Sequence, residues 1–267
     1  MNSLYKIADS HTHIYPEKIA SRASKSIGDF YNLPMAYSGT SKQLIENGKS
    51  INVEKYLICS VATNAHQVTS INDFIIEQCQ EHKEFAGLAS MHQDFSDVEK
   101  EMERVAEKGL KGIKLHHDFQ MAYADDTRFF RAYRKIQEIG MICLLHAGDE
   151  RYDYTRPKRF ISIKEKFPEM KCIAAHFGGY KCWEEAYKML RGVENLYFDT
   201  SSSLYALQPD EARDIIRAFG SDKFLFGTDF PMWDHKLELE RFLKLKLTDH
   251  ENRSILYDNF MNLFYGL

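Results

Sequence analysis

Short apolar runs of the kind that form buried strands recur along this chain at a nearly constant interval. After a longer first gap, each run starts about 30 residues after the one before it, and helical patterns fill the spaces between. Such alternation is typical of βαβ units and a parallel sheet. The predicted strands are residues 6–13, 55–62, 85–92, 112–116, 141–146, 171–176, 196–200 and 224–228.

Eight βα units in 267 residues point to one architecture. Eight such units that close on themselves form a (β/α)8 TIM barrel of about 250 residues, which is the fold class that we predict. An open eight-stranded sheet is the alternative. No internal repeat or linker divides the chain, so we predict a single domain over residues 1–267. We also predict a long loop over residues 15–53 with a helix near 41–49, and closing helices over 237–247 and 249–264.

Charge and composition exclude several kinds of partner. A net charge of -4 and a pI near 6.3 give no electrostatic reason to expect nucleic acid or an anionic membrane. No apolar run approaches the length of a membrane span, and the N-terminus lacks a signal-peptide pattern, so we predict a cytoplasmic protein. The five cysteines are widely spaced and include no Cys-x-x-Cys pair, which predicts reduced thiols without a thiolate metal site.

Side chains that bind metals follow the predicted strands at their C-terminal ends, where barrels carry their functional residues. His11 and His13 share one side of the first strand because residues i and i+2 of a strand point the same way. His146, His176 and Asp229 follow the fifth, sixth and eighth strands. A single histidine after a strand is more often an ordinary partnered residue. Four imidazoles and one carboxylate converging on one barrel mouth favour a metal site.

This donor set indicates which metals to expect. Imidazoles and one carboxylate without cysteine suit Zn²⁺, Mn²⁺, Fe²⁺ or Co²⁺ better than Ca²⁺ or Mg²⁺, and we favour Zn²⁺. Three to four protein ligands with an open position describe a catalytic site rather than a structural one. A metal of this kind lowers the pKa of a bound water to about 7. Asp229 can bind the metal and also take a proton from that water.

Five segments together resemble the amidohydrolase superfamily. They are His-Thr-His on the first strand, Lys-Gly-Ile-Lys-Leu-His on the fourth, His-Ala-Gly on the fifth, Ala-His-Phe-Gly-Gly on the sixth and Gly-Thr-Asp-Phe-Pro on the eighth. Within that superfamily they resemble the amidohydrolase-2 group, which includes aminocarboxymuconate-semialdehyde decarboxylase, the resorcylate decarboxylases and the pyrone-dicarboxylate lactonases. The resemblance runs from residue 5 to the C-terminal helices.

The resemblance implies a role for each strand-end residue. It implies that His11, His13, His146 and Asp229 hold one divalent metal. It also implies that His176 acts with Asp229 as the catalytic acid/base on the metal-activated water or on the substrate. Relatives in this branch are often dimers, so a homodimer is among the expected states.

Dinuclear members of the superfamily differ at the fourth and sixth strands. There the strand-six histidine, here His176, binds a second metal that is bridged by a carboxylated lysine or a glutamate from strand four. Lys114 stands at about the position of that bridge. The alternative is an uncarboxylated Lys114 that pairs with a substrate carboxylate or a neighbouring acid. We favour one metal.

Other polar residues near the strand ends receive smaller roles. Lys114, His116 and Arg156 are predicted to bind substrate, and Arg156 would clamp a carboxylate with its two guanidinium nitrogens. Asp199 is predicted to cap the turn that follows it rather than to line the pocket. The histidines in loop or helix contexts are predicted to be solvated: His66, His82, His235 and His250.

Three functions are compatible with these residues. The leading hypothesis is hydrolysis of a small carboxylate-, lactone- or amide-bearing metabolite by a metal-activated water. The alternative is metal-dependent, non-oxidative decarboxylation of a small unsaturated or aromatic acid. The third is a barrel that has lost catalysis and serves as a scaffold, which is disfavoured because the chain keeps every ligand of the pattern.

Overall fold

The computed structural model describes residues 5–267 of the chain. Eight strands lie within that part: β1 Ile7–His13, β2 Val53–Cys59, β3 Phe85–Ser90, β4 Gly112–Leu115, β5 Ile142–Leu145, β6 Lys171–Ala174, β7 Leu196–Asp199 and β8 Phe224–Leu225. They form one sheet in the sequential order β1 to β8, with parallel pairing of neighbours. This is the strand order of a (β/α)8 TIM barrel, so the predicted fold class is confirmed.

The helices of the same residues are α1 Glu17–Tyr31, α2 Ser41–Lys49, α3 Val68–Glu81, α4 Val98–Glu107, α5 His117–Gln120, α6 Phe130–Ile139, α7 Pro157–Lys166, α8 Trp183–Leu190, α9 Pro209–Phe219, α10 His235–Leu243, α11 Asp249–Arg253 and α12 Asn259–Tyr265. A π-helical turn over Ser254–Asp258 joins α11 to α12. Across residues 5–267, no helix is long and apolar enough to cross a membrane.

Two compact units make up the described chain. The first contains residues 5–59, 82–85 and 200–267, and the second contains residues 60–81 and 86–199. Within the first unit, β1 pairs with the chain that follows β8, since the backbone N–H of Ser10 donates to the carbonyl of Phe226 at 2.8 Å. Within the second unit, β4, β5 and β6 pair in parallel without a shift of register. The single domain over residues 1–267 stays a prediction.

The connection between β1 and β2 is more ordered than the predicted loop. It contains the expected helix α2 and also the 15-residue helix α1. The buried positions of α1 are Ala20, Ser24 and Gly28, which are spaced four residues apart on one face. Because these side chains are small, the helix has no stripe of large apolar residues from which its period could be read.

Several helix ends follow the signals in the sequence. Gly140 ends α6 in the left-handed conformation with a φ of 69°, which glycine adopts without the cost that a Cβ imposes. Pro209 begins α9 and is followed by Asp210 and Glu211, whose charges favour a helix N-terminus.

β1 ends at His13 as predicted, and the other seven strands end one to three residues earlier than predicted. His146 comes immediately after β5, and the turn behind it contains Gly148 with a φ of 78°. A Cβ on Gly148 would lie 2.4 Å from the backbone nitrogen of Tyr180. Only glycine therefore fits this position, which explains the glycine of the His-Ala-Gly segment.

Candidate active site

The first unit brings three of the predicted metal ligands together in one cluster. The Nε2 atoms of His11 and His13 lie 3.2 Å apart. Asp229 Oδ1 lies 3.6 Å from Nε2 of His11 and 3.4 Å from Nε2 of His13. We call His11, His13 and Asp229 the first cluster. Its donor atoms are close enough to share one ion.

Two serines that follow β7 hold the outer sides of these ligands. Ser201 Oγ lies 3.0 Å from Nδ1 of His11. Ser202 Oγ donates to Oδ2 of Asp229 at 2.6 Å and accepts from Nε1 of Trp233 at 2.9 Å. The serines thus engage the atoms that face away from the cluster and leave Nε2 and Oδ1 for it. Sequence reasoning missed both serines, although the run of four hydroxyl residues directly after a strand end was the available signal.

A buried aspartate, Asp9, accepts backbone hydrogen bonds from residues in and beside the first cluster. Asp9 Oδ1 accepts the backbone N–H groups of His11 at 3.1 Å and of Thr228 at 3.0 Å. Its other oxygen lies 3.0 Å from Nε2 of His235. The prediction that His235 is solvated is therefore wrong, since its side chain is fully buried. The helical position of His235 gave no sign that it would face a carboxylate in the strand.

Neighbouring groups change the pKa of His13 in the first cluster. Burial by itself lowers the pKa of its imidazole. Cys59 and the carboxylate of Asp229 outweigh burial, so the pKa of His13 rises to about 9. The same negative charge favours any cation that the imidazoles bind.

The second unit builds a second cluster around His146, comprising His116, Asp118, His146 and His176. Nδ1 of His146 lies 3.1 Å from Nε2 of His176, and Nε2 of His146 lies 3.4 Å from Oδ2 of Asp118. The His116 ring stacks on that of His146, with centroids 3.9 Å apart. Burial raises the pKa of Asp118 to about 7, although a hydrogen bond from Thr155 partly opposes the rise. Sequence reasoning missed Asp118, which stands two residues beyond His116.

Both predicted acid/base residues have left-handed backbone conformations. His176 and Asp229 each have a φ of 59°, which is uncommon for residues with a Cβ and costs of order 1–3 kcal/mol. Hydrogen bonds hold both in place. The backbone N–H of His176 donates to Oδ1 of Asp199 at 3.0 Å, and that of Asp229 donates to the carbonyl of His11 at 2.8 Å. Asp199, predicted as a cap for its own turn, thus supports His176.

The three predicted substrate-binding residues have different surroundings. Lys114 is fully buried in β4, and its charge adds to burial in lowering the pKa of His117 to about 3. His116 is stacked between Phe119 and His146, so only the edge of its ring is open to a contact. Arg156 is half-buried and forms an ion pair with Glu185.

The first cluster fits a divalent transition metal. A tetrahedral ion with metal–ligand distances of about 2.0–2.1 Å holds its donor atoms about 3.3 Å apart. The three separations of the first cluster, 3.2, 3.4 and 3.6 Å, lie close to that value. Two imidazole nitrogens and one carboxylate oxygen are also the donors that such ions prefer.

Comparisons with known proteins agree with this chemistry. A family model described as amidohydrolase, of the amidohydrolase-2 group, matches residues 8–264. No curated protein matches the chain.

Solved structures share the fold at low sequence identity. A 5-carboxyvanillate decarboxylase from Sphingomonas paucimobilis is 14% identical with a TM-score of 0.76, over 97% of this chain and 98% of that one. A dihydroxybenzoic acid decarboxylase from Polaromonas sp. JS666, with bound manganese and 2-nitroresorcinol, is 16% identical with a TM-score of 0.75, over 99% and 97%. A protein described as a 2-pyrone-4,6-dicarboxylic acid hydrolase from Pseudomonas putida is 17% identical with a TM-score of 0.69, over 97% of each chain.

Proposed function

Because the chain belongs to the amidohydrolase family, whose members are metal-dependent enzymes, we propose that it hydrolyses a small carboxylate-, lactone- or amide-bearing metabolite. The proposed ligands of one divalent metal are His11, His13, His146 and Asp229. The observation that supports this most directly is the spacing of the first cluster, which matches that of donors around one tetrahedral ion. The inclusion of His146 rests on the family pattern.

The metal that we propose is Zn²⁺, and Mn²⁺, Fe²⁺ and Co²⁺ suit the same donors. When bound, such an ion supplies a Lewis acid that activates water and polarises a carbonyl oxygen. The protein's own part is to hold and move protons. Ser202 donates to Oδ2 of Asp229 and so orients the carboxylate that takes a proton. His176 is held through its backbone, and its Nε2 is the atom that delivers one.

Substrate contacts are proposed for the predicted residues. Arg156 can bind a substrate carboxylate if that group replaces Glu185, because a guanidinium pairs with either carboxylate in the same way. Lys114 would place a buried positive charge near the reacting group, and His116 would contribute its ring edge. A carboxylated Lys114 and His176 would instead define a second metal position, so the metal count separates these two roles.

The second candidate is non-oxidative decarboxylation of a small unsaturated or aromatic acid. The observation behind it is that decarboxylases are among the similar structures, including the 5-carboxyvanillate and dihydroxybenzoic acid enzymes. The same residues serve this reaction, with His176 delivering a proton to the carbon that loses CO₂. Cytoplasmic location and a homodimer stay predictions beside either activity.

One experiment separates the hydrolase, the decarboxylase and the scaffold. The purified protein is stripped of metal, reconstituted with Zn²⁺ or Mn²⁺, and incubated with a panel of small lactones, amides and unsaturated or aromatic acids. Hydrolysed product without CO₂ supports the leading proposal, and CO₂ release supports the second candidate. A chain that binds no stoichiometric metal and gains no activity on reconstitution would support the scaffold.

A further inference from the structure

The segment that follows β4 contacts His146 in two independent ways. Oδ2 of Asp118 lies 3.4 Å from Nε2 of His146, on the side of the ring opposite His176. The ring of His116 covers one face of the His146 ring at an interplanar angle of 10°. Phe119 covers the other face of His116 with centroids 3.7 Å apart and an angle of 7°, which completes a stack of three rings.

The donor atoms of His116, Asp118 and His146 are also close enough to suggest a metal site of their own. The ring geometry argues against it. An imidazole binds a metal with a lone pair that lies in the ring plane, at about 2.0–2.1 Å. Two stacked, nearly parallel rings have their lone pairs in separate planes, so one ion cannot lie in both. The cluster is therefore better suited to holding His146 than to holding an ion.

The contact with Asp118 indicates one tautomer of His146. When ionised, the Asp118 carboxylate only accepts hydrogen bonds, and Nε2 of His146 then carries the proton that faces it. Nδ1 of the neutral ring is then the lone pair, and it faces Nε2 of His176, which can donate to it at 3.1 Å. A histidine that binds a metal through one nitrogen commonly donates its other N–H to a carboxylate in this way.

Asp118 is itself held in place. Oγ1 of Thr155 lies 2.9 Å from Oδ2 of Asp118 and 3.0 Å from the carbonyl oxygen of Gly148. The backbone N–H of Gly148 donates to the carbonyl of Thr155 at 2.8 Å. This ties the loop after β5 to the carboxylate that faces the histidine of the same strand.

We propose that Asp118 is a positioning residue that fixes the tautomer and orientation of His146, so that Nδ1 is the metal-binding atom. A small rotation of the carboxylate or of the ring brings this 3.4 Å separation within hydrogen-bond distance. The proposal rests on the proposed function for the role of His146 as a ligand. Its tautomer, by contrast, is a property of the metal-free protein and can be tested without any activity.

The test compares Asp118→Ala, Asp118→Asn and Thr155→Val with the control Asp214→Ala, which removes a carboxylate whose side chain is 75% exposed. Long-range ¹H–¹⁵N spectra of ¹⁵N-histidine-labelled, metal-free protein report the tautomer, with His146→Gln to assign the signal. The wild type and Asp118→Asn should show His146 protonated at Nε2, because the amide oxygen also accepts. Asp118→Ala should show a mixture.

Zn²⁺ affinity is measured on the same variants by competition with a chelating dye. Asp118→Ala should bind about 10–100-fold more weakly, Thr155→Val should lose less, and Asp118→Asn should recover most of the loss. Wild-type protonation at Nδ1, or an Asp118→Ala variant with unchanged tautomer and affinity, would overturn the proposal. If Asp118→Ala fails to fold, Thr155→Val and Asp118→Asn still decide it. A wild type that binds no Zn²⁺ but shows the expected tautomer would refute only the proposed function.

Discussion

The two clusters support their histidines with different chemistry. In the first, the outer atoms of His11 and Asp229 contact the hydroxyls of Ser201 and Ser202. In the second, the outer nitrogen of His146 faces the carboxylate of Asp118. The first cluster already contains a carboxylate, so neutral hydroxyls suffice to orient it. In the second, the carboxylate of Asp118 faces the histidine instead, and a carboxylate in that position makes the ligand more basic.

The largest expected effect is the loss of a ligand from the first cluster. His11→Ala should abolish stoichiometric metal binding and lower kcat/KM by about 10³-fold or more, because both water activation and oxyanion stabilisation depend on the ion. Metal analysis and steady-state kinetics on the substrate found by the panel provide the measurement. His66→Ala, at an exposed histidine, should keep both metal and activity. A His11→Ala enzyme with unchanged metal content would show that the first cluster does not bind the metal.

The His176→Gln variant tests whether His176, in the second cluster, moves a proton or binds a metal. If His176 moves a proton without binding the metal, kcat should fall by about 10²–10⁴-fold while the metal content stays at one ion per chain. The comparison of metal content between His176→Gln and His11→Ala is the decisive one. Loss of one of two ions from the His176→Gln variant would instead indicate the dinuclear site with a carboxylated Lys114.

Ser202→Ala should have a smaller effect than Asp118→Ala. The hydroxyl orients Asp229 but adds no charge, so metal affinity should fall by about tenfold, at the low end of the range for outer contacts. Competition with the same chelating dye gives the ratio, and Ser70→Ala on the exposed face of α3 is the matched control. A Ser202→Ala loss larger than that of Asp118→Ala would reverse the comparison between the clusters.

The smallest expected effect is on the pH dependence of the free energy of unfolding, through an ion pair that lies away from both clusters. A hydrogen bond from Arg217 lowers the pKa of Glu251 to about 2. Its contribution to stability is therefore complete above the unfolded pKa of about 4.3, and is lost as the pH falls towards 2. Because the pair is at the surface, we expect about 0.5–1 kcal/mol. Urea unfolding at pH 6 and pH 3 should show that much less pH dependence in Arg217→Gln; identical pH dependence would contradict this assignment.

The sequence predicted the fold class because the spacing of buried strands is a property of the whole chain. It also predicted which residues follow the strand ends, since those positions depend on the order of elements. Helix α1 was not predicted because its buried face consists of Ala20, Ser24 and Gly28, which form no periodic pattern of large apolar residues. Strand order alone assigns no hydrogen-bond partner to a polar side chain.

The outer contacts of the ligands could not be predicted for that reason. Asp118 faces His146 across 28 positions of sequence, and Ser201 faces His11 across 190. Their proximity depends on the register of neighbouring strands and on the course of the turns behind them. Buried His235 is a third case, because only the folded chain brings its helix against Asp9.

Anomalous diffraction at the metal absorption edge tests the central claim most directly. Crystals of the Zn²⁺-reconstituted protein should show one anomalous peak per chain, bound by Nε2 of His11, Nε2 of His13, Oδ1 of Asp229 and Nδ1 of His146. No peak beside His11, His13 and Asp229, or a peak bound only by His116 and Asp118, would contradict the account.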